Sequence, residues 1–169
     1  MCALPDRIGG ESRVMRAKSW IWILAGVIFA LDRILKILVA THMAPDQSIP
    51  VLPPVLWITY ITNSGAAFSL FQGGTVLFVI IGLVILAALV IYVQRTQALS
   101  TVFGIGAGLL AGGTAGNLWD RLVAGRVIDY IHFRYWAIFN LADAAIVVGI
   151  ILIVWELWRK DRQDANASR

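Results

Sequence analysis

The sequence predicts an all-α membrane protein: four transmembrane helices, with a small extended, β-like segment on the outer side between the first and second. Three observations predict it. Hydrophobic residues make up 59% of the 169 positions and charged residues only 14%, where a soluble domain carries about 25% charged residues. Four apolar runs each approach the roughly 20 residues needed to cross about 30 Å of hydrocarbon. Most basic residues flank these runs on one side, which the positive-inside rule assigns to the cytoplasm. Four spans use most of the length, so residues 1–169 read as a single integral membrane unit without a sizeable soluble domain.

The first run covers about residues 20–40 and follows Arg7, Arg13, Arg16 and Lys18. A basic stretch before an apolar core also suits a signal peptide. Asp32, Arg33 and Lys36 argue against that, because they fall where a cleavage region should be small and neutral. The next segment, 41–74, contains no Lys or Arg. Pro50, Pro53 and Pro54 exclude helix there and favour extended backbone. Val55-Leu-Trp-Ile-Thr-Tyr-Ile-Thr62 has the β-branched and aromatic content of short strands, and Asn63-Ser-Gly65 signals a turn. We read 50–70 as a small extended sheet at the outer membrane surface, whose edge can hold a peptide by strand addition.

The second run, 75–93, carries no charge at all. The third, 101–119, repeats glycine every four residues at Gly104, Gly108, Gly112 and Gly116, with Gly106 and Gly113 besides. Small residues at this spacing let helices approach closely in lipid; a dimer seam or a groove for a substrate helix would use the same feature. The fourth run, 140–158, leads into a polar tail bearing Arg159, Lys160, Arg162 and Arg169. With Arg95 in the short 94–100 loop, the charges put both termini and that loop inside. Segments 41–74 and 120–139 are then outside, although Arg121, Arg126 and Arg134 lie in the latter.

The net charge of +4 is therefore a topology signal; the basic residues form no nucleic-acid footprint, and no nucleic-acid partner is expected. Cys2 is the only cysteine, which rules out an intrachain disulfide. His42 and His132 lie far apart without a His-Glu-x-x-His or paired-cysteine pattern, so no metal site is expected. Ser64 and Ser69 lack a Gly-x-Ser-x-Gly elbow, and His132 has no serine partner in such a motif.

The aspartates carry the chemistry. An ionisable group at membrane depth costs roughly 2.5–3.5 kcal/mol on insertion scales, so it reads as a working residue. Asp32 can reach Lys36 one helical turn away, Asp120 is followed by Arg121 and reads as a charge-paired helix end, and Asp46 sits in a polar loop. Asp129 differs, being enclosed by Val127, Ile128, Tyr130 and Ile131. Asp143 falls one turn after Asn140 at the start of the last run, facing the positive end of the helix dipole. If residues 130–138 fold back, the two carboxylates meet. One pKa then rises and the other falls, so one carboxylate takes a proton from water while the other protonates a departing amine. That is peptide hydrolysis without a metal, cofactor or covalent intermediate.

Five blocks now stand in order: Asp32-Arg-Ile-Leu-Lys36, Asn63-Ser-Gly-Ala-Ala-Phe-Ser69, Gly112-Gly-Thr-Ala-Gly-Asn-Leu-Trp-Asp-Arg121, Val127-Ile-Asp-Tyr130 and Phe139-Asn-Leu-Ala-Asp143. With them the chain resembles the bacterial lipoprotein signal peptidases, or signal peptidase II. The resemblance implies an aspartic endopeptidase of the bacterial inner membrane with its site near the periplasmic face. It would remove the signal peptide of prolipoproteins just before a cysteine bearing a diacylglyceryl group. It also implies catalytic roles for Asp129 and Asp143, and contact with substrate or inhibitor for Asn63, Asn117, Arg121 and Asn140. Supporting roles fall on Asp120, Asp32, Lys36 and Gly65, and the cyclic peptide globomycin is an expected inhibitor. The chain departs from the family at Arg33, where Gln is common, and in a shorter stretch between Asp129 and Asp143. The rival reading is a small proton-coupled transporter or accessory subunit. It would want polar residues along a path through the membrane, and the second run has none.

Overall fold

The computed structural model describes residues 7–65 and 74–167; Cys2 and the stretch 66–73, with Ser69, lie outside the described residues. Among the described residues the chain forms α1 (Arg7–His42), β1 (Ser48–Leu52), β2 (Leu56–Asn63), α2 (Thr75–Arg95), α3 (Thr101–Ala124), β3 (Val127–Phe133) and α4 (Leu141–Ala167). All four predicted runs are helical apart from Asn140, and each helix continues beyond its run. Helix α2 is apolar around its whole circumference and buries only Gly82, Leu89 and Val93. A helix of that kind belongs in a nonpolar solvent. It and Leu141–Gln163 of α4 are long and apolar enough to cross a membrane.

Helix α3 is the hub, packing on the other three helices. Its glycines explain how. Gly108, Gly112 and Gly116 share the face toward α1, where a Cβ on Gly112 would stand 2.6 Å from the Ala25 carbonyl oxygen and one on Gly116 2.5 Å from Asp32 Oδ2. Gly106 and Gly113 face α4, where a Cβ on Gly113 would overlap the Ala142 carbonyl. The glycine stripe is therefore an intramolecular packing surface against two neighbours at once. At one end Ile21, Leu89, Val93, Phe103, Ala107 and Leu110 close a core, and Ser100 caps α3 by accepting from Phe103 N (3.1 Å).

The extended segment is a sheet, but it does not stand alone. Its strands β1 and β2 pair antiparallel, and β2 then pairs antiparallel with β3, which follows α3 in the chain. The expectation of an all-α protein with one extended segment between the first two helices is corrected accordingly. The third strand escaped notice because Val127–Phe133 is short and interrupted by Asp129 and His132. It is made possible by Gly125, the C-cap of α3, which adopts φ 70° and donates its N–H to Arg121 O (3.1 Å). Only glycine takes that left-handed turn without penalty. A register irregularity between Ile58 and Ile61 of β2 lies beside the pairing of Ile61 with Asp129. Val39 of α1 and Met43 just beyond it close over Tyr130 and lock β3 to the helices.

Candidate active site

Asp129 faces inward from β3, 3% exposed, because successive strand residues alternate between faces and its neighbour Ile128 points the other way. The chain then reverses: Tyr130 N and Ile131 N donate to Phe139 O (3.0 and 2.7 Å), and Phe139 N donates to Ile131 O (3.1 Å). This return delivers Asn140 beneath Asp129 and starts α4 one residue later.

The first turn of α4 has four amide donors that the helix itself leaves unpaired. Each finds an acceptor. Leu141 N donates to Tyr130 Oη (3.2 Å), Ala142 N to Asp32 Oδ1 (3.2 Å), Asp143 N to Asn140 Oδ1 (2.9 Å) and Asn140 N to Asp143, while Ala144 N makes the first bond within the helix, to Asn140 O (3.2 Å). Asp143 Oδ2 accepts from Asn140 N (3.1 Å), which completes a reciprocal capping box. The Asn140 amide nitrogen, meanwhile, donates to Asp129 Oδ1 at 2.7 Å. One fully buried asparagine thus caps the helix that carries Asp143 and bonds directly to Asp129.

Behind this joint lies a buried charge network. The Lys36 ammonium has Asp32 Oδ2 at 2.8 Å, Asp120 Oδ2 at 2.7 Å and Asn117 Oδ1 at 2.9 Å. The Asn117 amide nitrogen donates to Asp143 Oδ1 (2.7 Å), and its oxygen also accepts from Asn140 Nδ2 (3.2 Å). Asp120 pairs with Arg33 and Lys36 of α1 and not with Arg121, contrary to the sequence expectation. Adjacent helical residues point about 100° apart, so they do not face each other. Arg121 instead borders the cavity that holds Asp129 and Asp143. Its Nη2 donates to Gly65 O (3.1 Å), its Nη1 to Asn117 O (3.4 Å), and its guanidinium lies 4.9 Å from the centre of the Phe78 ring.

On the sheet side, Asn63 Nδ2 donates to Asp129 Oδ2 (3.2 Å), while Asn63 Oδ1 accepts from Gly65 N (2.9 Å). Asp129 and Asp143 line one cavity of about 520 Å³ together with Asn63, Gly65 and Arg121; the rest of its wall is largely apolar. Burial, and next the negative charge of Asp143, push the Asp129 carboxyl up from 3.8 to about 7, against the opposing hydrogen bonds from Asn63 and Asn140 and the charge of Lys36. A carboxyl that titrates near neutrality can hold a proton and release it in turn.

Every residue that the sequence singled out for the site meets in this one region. His132 lies on the sheet, hydrogen bonded to Thr59 Oγ1 (3.0 Å) and tilted against Trp57, and His42 sits at the end of α1 beside Thr41. Three contributors escaped sequence reasoning. Tyr130 caps α4, Arg33 completes the Asp120 pair, and Phe78 supports Arg121. The first two lie inside the blocks already noted; Phe78 stands in an apolar run with nothing to mark it.

Known proteins resemble this chain in sequence and in overall fold. The family described as Signal peptidase (SPase) II matches residues 24–159. A lipoprotein signal peptidase of Halothermothrix orenii is 38% identical over 142 residues, covering 84% of this chain and 97% of that protein. One from Syntrophomonas wolfei is 43% identical over 142 residues, covering 83% and 95%. A bacterial membrane enzyme solved by the in meso method at 2.3 Å resolution superposes with a TM-score of 0.80 at 31% identity, covering 85% of this chain and 90% of that one. A second, solved at 1.9 Å, gives 0.75 at 32% identity, covering 82% and 92%. The chain is a membrane protein and a peptidase, and it belongs to the signal peptidase II family.

Proposed function

We propose that the protein is an aspartic endopeptidase of the bacterial inner membrane that removes the signal peptide from diacylglyceryl-modified prolipoproteins, cutting just before the lipidated cysteine. All four helices span the bilayer in this reading, both termini are cytoplasmic, and the sheet rests on the periplasmic surface. The observation that carries it is the pair Asp129 and Asp143, coupled through Asn140 and open to one apolar-walled cavity.

Asp129 holds the shared proton, since burial and its neighbour's charge disfavour its ionised form. Asp143 is the base: it sits at a helix N-terminus and accepts from the Asn140 N–H and the Asn117 amide. Asp143 takes a proton from water as the water oxygen bonds to the scissile carbonyl carbon. Asp129 then gives its proton to the amine nitrogen as the carbon–nitrogen bond breaks. The two products leave as a carboxylic acid and an amine, and the proton returns from Asp143 to Asp129 through water.

The Arg121 Nε–H is buried without an acceptor among the described residues, which suits it to a substrate carbonyl. Asn63, Asn117 and Asn140 hold the carboxylates and border the substrate, and globomycin is expected to compete for the same cavity. The lipid on the cysteine sets register. Each buried CH₂ contributes about 0.8 kcal/mol to membrane residence, so two acyl chains hold the scissile bond at the depth of the dyad. Purified protein is expected to cleave a lipidated precursor peptide in liposomes and to leave the same peptide with an unmodified cysteine nearly intact. Equal rates on both, read as a gel shift, would point to a general membrane protease.

A further inference from the structure

We infer that Arg33 is a positioning residue for the dyad: by holding one oxygen of Asp120, it leaves the Lys36 ammonium free to anchor Asn117, whose amide is thereby aimed at Asp143. The inference rests on the reading of Asp129 and Asp143 as the reacting pair.

Lys36 has three N–H donors and no acceptor. The three oxygens around it come from Asp32, Asp120 and Asn117, at 2.8, 2.7 and 2.9 Å, and both Lys36 and Asp32 are fully buried. Two carboxylates against one buried cation leave an excess negative charge that low-dielectric surroundings tolerate poorly. Arg33 cancels it. Its guanidinium pairs with Asp120 Oδ1 while Lys36 stays on Oδ2, so Asp32, Arg33, Lys36 and Asp120 sum to zero. Without that second cation, Asp120 draws the ammonium toward itself, and the contact that weakens is the neutral one, to Asn117 Oδ1. That contact fixes which end of the Asn117 amide faces Asp143, because an oxygen held by Lys36 and Asn140 leaves only the nitrogen to donate.

The titratable or charged groups that face this network are Asp32 and Lys36 on α1, Asp120 on α3, Asp129 and Tyr130 on β3, and Asp143 on α4. Arg121, on α3, adds a positive charge from the cavity side, where it lines the same wall as Asp129 and Asp143. Arg33 itself has no bond to either dyad carboxylate. It acts through Asp120, Lys36 and Asn117, from a side chain 21% exposed at the rim of the helix pair.

Two substitutions separate charge from hydrogen bonding. Arg33→Gln keeps a donor for Asp120 without the charge, and Arg33→Lys keeps the charge. With lipidated precursor, Arg33→Gln is expected to lower kcat about fivefold with KM little changed. Its kcat–pH profile should move to higher pH, because the dyad loses part of the positive potential of Lys36. Arg33→Lys should restore the profile. A substrate-free infrared titration of the carboxyl band, assigned by difference against Asp129→Asn, should show its midpoint rise by about 0.5 pH unit or more in Arg33→Gln. An unmoved band would overturn the inference whether or not the precursor is cleaved. A lower melting temperature with an unmoved profile would reduce Arg33 to a helix fastener and overturn it too. Failure of the wild-type protein to cleave is a different result: it removes the proposed function while the band titration still decides the role of Arg33.

Discussion

Replacement of Asn140 separates a helix cap from a bridge between carboxylates. Asn140→Ala removes the oxygen that accepts from Asp143 N and the nitrogen that donates to Asp129 Oδ1 at 2.7 Å. Loss of an N-cap costs about 1 kcal/mol. Leaving the buried Asp129 oxygen without that donor costs about 1–3 kcal/mol more. The alanine variant should therefore be less stable by about 2–4 kcal/mol, and Asn140→Ser, which keeps a capping oxygen, by about 1 kcal/mol less. Activity should not follow that ranking. Both variants sever the bridge, and a misplacement of about 1 Å costs on the order of 100-fold in rate, so both should lose at least that much kcat. The Asn140 hydrogen bond also holds the Asp129 carboxyl down, so its loss should carry Asp129 above the value of about 7. If Asp129 is the proton donor, the alkaline limb of the kcat–pH profile moves to higher pH. Thermal unfolding in detergent and initial rates on a fluorogenic lipidated peptide measure both effects. An Asn140→Ser enzyme with near-normal turnover would refute the reasoning.

The dyad should also burden the fold. The Asp129 carboxyl is raised from 3.8 to about 7 on folding, so the folded state holds the extra proton across that window, and stability falls as pH rises through it. Asp129→Asn should abolish cleavage yet make the protein more stable at pH 8, by up to about 4 kcal/mol, with little difference near pH 4. Adding Asp143→Asn should cost no further activity, since paired residues fail as a unit. A less stable Asp129→Asn protein at pH 8 would count against the buried-proton assignment. At the packing level, a Cβ on Gly113 collides with the Ala142 carbonyl and comes within 3.0 Å of Ile146 Cγ1, whereas one on Gly26 meets nothing within 4 Å. Gly113→Ala should lose about 1–3 kcal/mol and most activity by displacing the first turn of α4, with Gly26→Ala as the silent control in the same melting and cleavage assays.

Most of the site was legible because buried charge is scarce in an apolar chain. Asp32, Lys36, Asp129 and Asp143 stand out against their neighbours, and the asparagines stand out beside them. Glycine spacing also announced the helix contacts of α3, since a four-residue repeat has one face. What the sequence hid was pairing between distant segments. Nothing local marks Val127–Phe133 as the partner of Leu56–Asn63, because its alternation is broken by the very aspartate that the strand presents. The partner of Asp120 was misread for a similar reason. Neighbours in sequence suggest a pair, while helix geometry sends Arg121 to Gly65 and leaves Asp120 to α1.

The satisfied amides at the start of α4 also bear on the order in which the enzyme comes into being. A nascent chain presents α1, then the sheet and α3, and only afterwards α4. Until that last helix docks, Asp129 has no Asn140 beside it and no Asp143 in the cavity. On the proposed mechanism the half-made protein then lacks one of its two acids and is inert. By the same mechanism, hydrolytic competence arrives in a single late event, when the amides of one helical turn find Tyr130 and Asp32 already in place.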